Sequence, residues 1–181
     1  MIYFITGGAK NGKSSLAQDL AVAMARETPH YYIATMIPAD EEDYDRIARH
    51  VADRAGMGFE TVECGRNILS CLDRVNREGT FLLDSATALL LNELFPDPTS
   101  CRMDVEAAQR CADDLVTFAR SVRNIVLVSD YIYSDAARYD EVTETYRKGL
   151  ADIDRELARA SDTVLEVCAG NILVHKGDLL V

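Results

Sequence analysis

The segment Gly7-Gly8-Ala9-Lys10-Asn11-Gly12-Lys13-Ser14 constrains this chain more than any other. It places a glycine, four variable residues, a second glycine, a lysine and a hydroxyl residue in the order of a phosphate-binding loop. A short β-rich run, Ile2 to Thr6, leads into it. A run with Leu16, Leu20 and Met24 on one face, Ser14 to Glu27, leads out as a predicted helix. That context matters, because the chemistry needs a strand–loop–helix turn. Glycines let the backbone curl so that successive N–H groups face one anion. The helix N-terminus adds partial positive charge at the same point. Lys13 is placed to reach the β- and γ-phosphates, and the Ser14 hydroxyl to bind Mg²⁺. Gly7, Gly8, Ala9, Lys10, Asn11, Gly12, Lys13 and Ser14 are therefore the first nucleotide-binding candidates.

Downstream, apolar strand-like runs alternate with amphipathic ones. Strands are predicted at Tyr31 to Thr35, Glu60 to Val62, Phe81 to Asp84, Asn124 to Ser129, Thr163 to Cys168 and Ile172 to His175. Helices are predicted at Glu41 to Arg54, Asn67 to Asn76, Ser85 to Leu94, Asp104 to Arg120 and Asp140 to Arg159. In the first of these, Tyr44, Ile47, Ala48 and Val51 fall near one side. In the fourth, Val105, Ala108, Ala112, Leu115 and Ala119 do. In the last, Val142, Tyr146, Leu150, Ile153 and Leu157 do. Gly56 and Gly58 stop the first of these helices, and Pro96 and Pro98 the third. Strands apolar on both faces that alternate with helices imply a mainly parallel sheet covered on both sides. Only Ala169-Gly170-Asn171 separates the last two strands, which predicts an antiparallel edge hairpin. The fold class is α/β, a three-layer P-loop NTPase type. The 181 residues suit one domain, 1–181, with a full-sized core.

Composition excludes several function classes. A formal net charge of −11 argues against nonspecific nucleic-acid binding, which draws its affinity from phosphate contacts. No apolar run approaches the length needed to cross a bilayer. The N-terminus lacks the basic start of a signal peptide. Five scattered cysteines (Cys64, Cys71, Cys101, Cys111, Cys168) without a C-x-x-C pair suggest reduced, mostly buried thiols. The protein is expected in the cytoplasm, without membrane insertion.

A P-loop enzyme needs a second carboxylate at a strand end to help hold the metal. Asp84 fits that role and Asp130 is a rival; either can instead cap a helix. Of three histidines, His30 and His175 read as structural or exposed. His50 differs, standing among Arg46, Arg49 and Arg54. That cluster suits phosphate, and a neutral imidazole can attack phosphorus. It is equally the pattern of a solvated surface helix. The acidic run Asp40-Glu41-Glu42-Asp43 is explained by the helix dipole.

Together these segments resemble a known family, the bifunctional adenosylcobinamide kinase/adenosylcobinamide-phosphate guanylyltransferases of cobalamin biosynthesis. The resemblance rests on Thr6 to Ser14, Tyr32-Ile33-Ala34-Thr35, Arg46-Ile47-Ala48-Arg49-His50, Glu63, Asp84 with Asn92-Glu93-Leu94-Phe95, and Val126-Leu127-Val128-Ser129. It implies two reactions. One phosphorylates the aminopropanol hydroxyl of adenosylcobinamide with ATP or GTP. The other forms a covalent GMP-histidine from GTP and passes GMP to the cobinamide phosphate. By that resemblance His50 and Lys13 are catalytic. Ala34, Thr35, Met36, Val51, Ala52, Asp53, Arg54, Glu63 and Asp84 join the loop in binding nucleotide, Ser14 and Asp84 hold Mg²⁺, and the subunits assemble as a homo-oligomer, a trimer. The chain departs from the family pattern after its fifth strand, with Asp130-Tyr131-Ile132-Tyr133 in place of Asn-Glu-Val-Gly. Asp154-Arg155 likewise stands where Asn-Gln is usual. Two other readings compete: a P-loop small-molecule kinase without guanylyltransferase activity, and a nucleotide-binding switch without turnover.

Overall fold

Alternate residues of the central strands are buried on opposite faces of one sheet. Tyr3 and Ile5 lie in one apolar cluster with Leu82, Val126 and Val128; Phe4 lies in another with Phe81, Leu83, Ile125 and Leu127. A strand with no solvent face must be covered twice, and helices do so here. The computed structural model describes residues 1–97, 99–100 and 102–179. The predicted stop at Pro98 and the cysteine at Cys101 fall outside them.

The strands are β1 (Ile2–Gly7), β2 (His30–Ala34), β3 (Glu60–Glu63), β4 (Thr80–Asp84), β5 (Asn124–Asp130), β6 (Thr163–Cys168) and β7 (Asn171–Lys176). They form one seven-stranded sheet in the order β3-β2-β4-β5-β1-β6-β7. Every pairing is parallel except β6 with β7, the predicted edge hairpin. On one face packs α1 (Lys13–Ala25), burying Ala17, Leu20 and Ala21 against Tyr3, Ile5 and Leu165. On the other pack α3 (Ala86–Leu94), α4 (Ala107–Ser121) and α5 (Glu141–Ala160), through residues such as Leu90, Leu115, Phe118 and Ile153. The fold is thus the α/β P-loop type expected.

Five sequence expectations need correction. The helix expected over Asn67 to Asn76 is a 3-10 turn, Ile68–Asp73. It buries Ile68 and Cys71, three residues apart, the spacing that stacks side chains in such a turn. The helix expected from Asp104 starts at Ala107, because the Asp104 carboxylate holds the preceding turn, accepting from Glu106 N at 3.1 Å and pairing with Arg110 at 2.6 Å. Val105, expected inward, is 70% exposed outside that helix. Val142, in the first turn of α5, is exposed as well. Finally α2 (Glu41–Asp53), capped by the Asp40 side chain on Asp43 N, has no buried residue at all. Its apolar positions Tyr44 and Val51 face solvent rather than a core.

Candidate active site

The C-terminal ends of β2, β4 and β5 open into a cleft of about 970 Å³, walled on one side by the loop from Ala9 to Ser14 and on the other by α2. Ligands of open parallel sheets bind at such strand ends.

The loop is shaped by its glycines for two different reasons. Gly12 has φ +87° with open space around it, so only backbone conformation excludes a side chain there. At Gly7 the limit is space: a Cβ would run into the Val167 carbonyl of β6. Asn11 Nδ2 donates to that same carbonyl at 3.3 Å, tying the loop to the neighbouring strand. α1 then starts at Lys13 without a side-chain cap and with no acidic residue in its first turn. Its leading N–H groups thus remain available to an anion.

Lys13 is buried, and its Nζ donates to Gly8 O and to Asp130 Oδ1, each at 2.6 Å. Asp130 was weighed above as a metal carboxylate or a helix cap; the fold makes it the partner of the loop lysine. The register of β1 and β5 places Asp130 directly beside Gly7.

Asp84 sits one strand further out, at the end of β4, with β5 between it and β1. Tyr32 Oη donates to Asp84 Oδ2 at 3.0 Å, and the Arg54 guanidinium lies 4.1 Å over the Tyr32 ring while donating to Thr61 Oγ1. Burial, then the Asp84 charge, pushes the Tyr32 phenol far above its ordinary range, so it stays a donor to the carboxylate. Ser14 and Asp84 both line the cleft and offer hydroxyl and carboxylate oxygens, the hard donors Mg²⁺ prefers. Among the described residues no three His, Cys, Asp or Glu gather into a metal cage. The donor set therefore fits a cation shared with phosphate and water.

On the α2 wall, His50, Arg46, Arg49, Asp53 and Arg54 all line the cleft, as do Ala34, Met36 and Glu63. His50 is half-buried. Gly7, Gly8, Thr35, Val51 and Ala52 do not line it. Thr35 instead shapes it from below: its Oγ1 accepts from Ser85 N at 2.7 Å and donates to Ser85 O at 2.9 Å. Asn92 has a similar task. Its Nδ2 donates to Thr35 O at 2.8 Å and to Gly65 O at 2.9 Å, joining the end of β2 to the loop after β3. Glu93 Oε1 accepts from Asn67 N at 2.6 Å beside it. Sequence reasoning quoted Asn92-Glu93 without a role and passed over Tyr32 as a strand residue. The available signal for Tyr32 was a phenol hydroxyl near one end of a predicted strand, one it shares with its neighbour Tyr31.

The model of the family "cobinamide kinase / cobinamide phosphate guanyltransferase" matches residues 3–174. The chain belongs to this family. Among cobinamide kinase/guanyltransferase relatives, the bifunctional adenosylcobalamin biosynthesis protein CobU of Salmonella typhimurium is 28% identical over 182 residues, an alignment covering 94% of this chain and 97% of that protein. The corresponding protein CobP of Pseudomonas aeruginosa is 29% identical over 178 residues, covering 97% and 98%. Solved structures share the fold at low identity. An ATPase domain superposes with TM-score 0.57 at 10% identity, over 97% of this chain and 76% of that one. A KaiC-like protein from Pyrococcus horikoshii gives 0.53 at 14%, over 97% and 78%. Arg46, Ile47, Arg49 and His50 wall this cleft, whereas Asn92 and Glu93 do not line it and instead tie its loops together.

Proposed function

We propose that this enzyme phosphorylates adenosylcobinamide with ATP or GTP, then transfers GMP from GTP to the resulting phosphate through a GMP-His50 intermediate. One observation carries the reading: His50 on α2 and the Lys13 loop face the same cleft. A triphosphate seated in the loop extends its nucleoside end toward that histidine.

In guanylyl transfer, a neutral imidazole nitrogen of His50 attacks the α-phosphorus. The bond to the pyrophosphate oxygen breaks, and the loop amides with Lys13 carry the charge of the departing pyrophosphate. The phosphate of cobinamide phosphate then attacks the same phosphorus, the P–N bond breaks, and His50 is regenerated. Arg46, Arg49 and Arg54 supply positive charge along the path. Mg²⁺ held at Ser14 and Asp84 would neutralise phosphate oxygens.

The enzyme works in the cytoplasm as a homo-oligomer. The thiols of Cys64, Cys71 and Cys111 are free and buried, in keeping with a reducing compartment. Ile172, Leu173 and Val174 lie exposed in succession on the edge strand β7, a surface suited to a second copy. No helix of the described residues is long and apolar enough to cross a membrane.

Incubation with α-labelled GTP tests the reading. The wild-type protein is expected to retain acid-labile label, and His50→Ala to retain none. Phosphorylation of cobinamide with no covalent label would instead select the plain kinase.

A further inference from the structure

We infer that Arg54 is a positioning residue for guanylyl transfer: stacked on Tyr32, it fastens the wall that carries His50 to the central sheet. The inference rests on the kinase/guanylyltransferase reading above and deepens its histidine step. It also separates Arg54 from the two other arginines of that wall.

Between Thr35 and Val62 the chain buries one residue, Arg54. Every other position from Met36 to Thr61, all of α2 included, is partly or fully exposed. A helix without a buried face gains little orientation from packing, so specific contacts must set it. The Asp40 cap at its start is local, made to Asp43 N within the same segment. Arg54, the residue that closes α2, reaches the sheet instead. Its guanidinium lies 4.1 Å from the Tyr32 ring centroid, and Nη2 donates to Thr61 Oγ1 at 3.1 Å. The first contact ties α2 to β2 and the second ties it to β3. A cation within about 6 Å of an aromatic centroid is drawn to the ring face, more strongly when withdrawn from water. The ring is itself fixed, buried with its hydroxyl on Asp84. His50 stands four residues before Arg54, and residues four apart share a face of a helix. Fastening Arg54 therefore sets the rotation of α2 that turns His50 to the cleft. Arg46 and Arg49 are exposed by contrast, and Arg49 Nε donates back into α2, to Asp45 O at 3.3 Å. Those two are free to turn onto phosphate, whereas Arg54 adds its charge from a fixed place.

The two reactions depend on this fastening unequally. Attack by an imidazole nitrogen on the α-phosphorus needs the ring in line with the departing pyrophosphate, and a misplacement of about 1 Å costs on the order of 100-fold in rate. Phosphorylation passes the γ-phosphate straight to the acceptor without His50. A loosened wall therefore costs guanylyl transfer more than phosphorylation. An arginine that held the triphosphate would serve both alike.

Hydrogen exchange of the nucleotide-free protein, read by mass spectrometry on peptides from residues 41–53, tests the fastening without any reaction. Arg54→Met keeps the apolar stem and loses the guanidinium. It is expected to speed exchange in α2 about tenfold or more, while peptides of β1, β4 and β5 exchange as in the wild type. Tyr32→Leu is expected to do the same with Arg54 intact. Tyr32→Phe keeps the ring face and drops the bond to Asp84, and is expected to leave α2 exchange within about threefold of wild type. In parallel assays, the ratio of His50 labelling by α-labelled GTP to γ-phosphate transfer is expected to fall about tenfold or more in Arg54→Met. Arg54→Lys, which restores a cation over the ring, is expected to recover part of that ratio. Arg54→Gln replaces the Met variant should that one fail to fold. Unchanged α2 exchange in a folded Arg54 variant overturns the assignment, as do α2 amides that already exchange unprotected in the wild type. So does an equal fall of both reactions, which would mark Arg54 as a triphosphate ligand. Absence of label on wild-type His50 would overturn the guanylyltransferase reading instead, and the exchange rates would still decide whether Arg54 fastens α2.

Discussion

Lys13 is an ammonium held in a nearly closed place, where its charge is worth most. Removing a charge-stabilising donor from a water-poor site commonly costs two to three orders of magnitude in rate. Lys13→Ala is accordingly expected to lower both phosphorylation and guanylylation by about 100-fold or more, measured as initial rates at saturating GTP. Residual turnover near wild type would remove the loop from the mechanism. The two glycines of the loop separate a conformational from a steric requirement. Gly12→Ala forces a side chain into a left-handed backbone, at about 1–2 kcal/mol, but meets no neighbour. Gly7→Ala drives a methyl into the Val167 carbonyl and so pushes the loop off β6. Isothermal titration with a nonhydrolysable GTP analogue is expected to show a greater loss of affinity for Gly7→Ala than for Gly12→Ala.

At the scale of elements, α5 carries a buried carboxyl that has no counterpart in an ordinary amphipathic helix. Asp154 is 5% exposed, accepts from Tyr133 Oη at 2.7 Å, and leaves Oδ1 without a partner. Burial, with Asp130 nearby adding to it, raises its pKa to about 6. The unfolded chain titrates such a group near 4. Between those values the folded protein binds the extra proton, so stability falls as pH rises from about 4 to about 6, by on the order of 2 kcal/mol. Asp154→Asn abolishes that dependence. Thermal melts across this range should show the variant gaining on the wild type as pH rises and keeping the gain at pH 7; parallel curves would contradict the assignment. A second element stands out for the opposite reason. α2 buries nothing, although its sequence has a clear apolar side. Periodicity reports that Tyr44, Ile47 and Val51 share a side of the helix; it is silent on whether another element arrives to cover it. The same limit explains Val105 and Val142. Strands, loop and hairpin were legible because their residue types have one local solution: Gly12 at positive φ, Gly170 at the β6–β7 turn, Val126 to Val128 with no polar side. The partnership of Asp130 with Lys13 spans 117 positions and depends on β5 lying next to β1. Strand order is invisible to local pattern, so Asp130 stood only as a rival to Asp84 for one role until the sheet was assembled.

For the molecule as a whole, the sheet acts as a ruler that sets the loop, two carboxylates and the α2 histidine around one cleft. Its outer margin is less settled. β7 is exposed at every position, and an open apolar edge strand invites pairing with a second copy. Leu173→Lys is expected to shift the protein from oligomer to monomer in light scattering, while an unchanged mass would move the interface elsewhere. The central claim, however, concerns His50, and it is tested most directly by locating the nucleotide. The protein is reacted with GTP, digested at neutral to mildly alkaline pH to preserve a phosphoramidate, and the modified peptide sequenced by mass spectrometry. The account predicts one GMP, on His50. GMP found on Lys10, Lys13 or another histidine, or no modified peptide from a protein that transfers GMP, would contradict it.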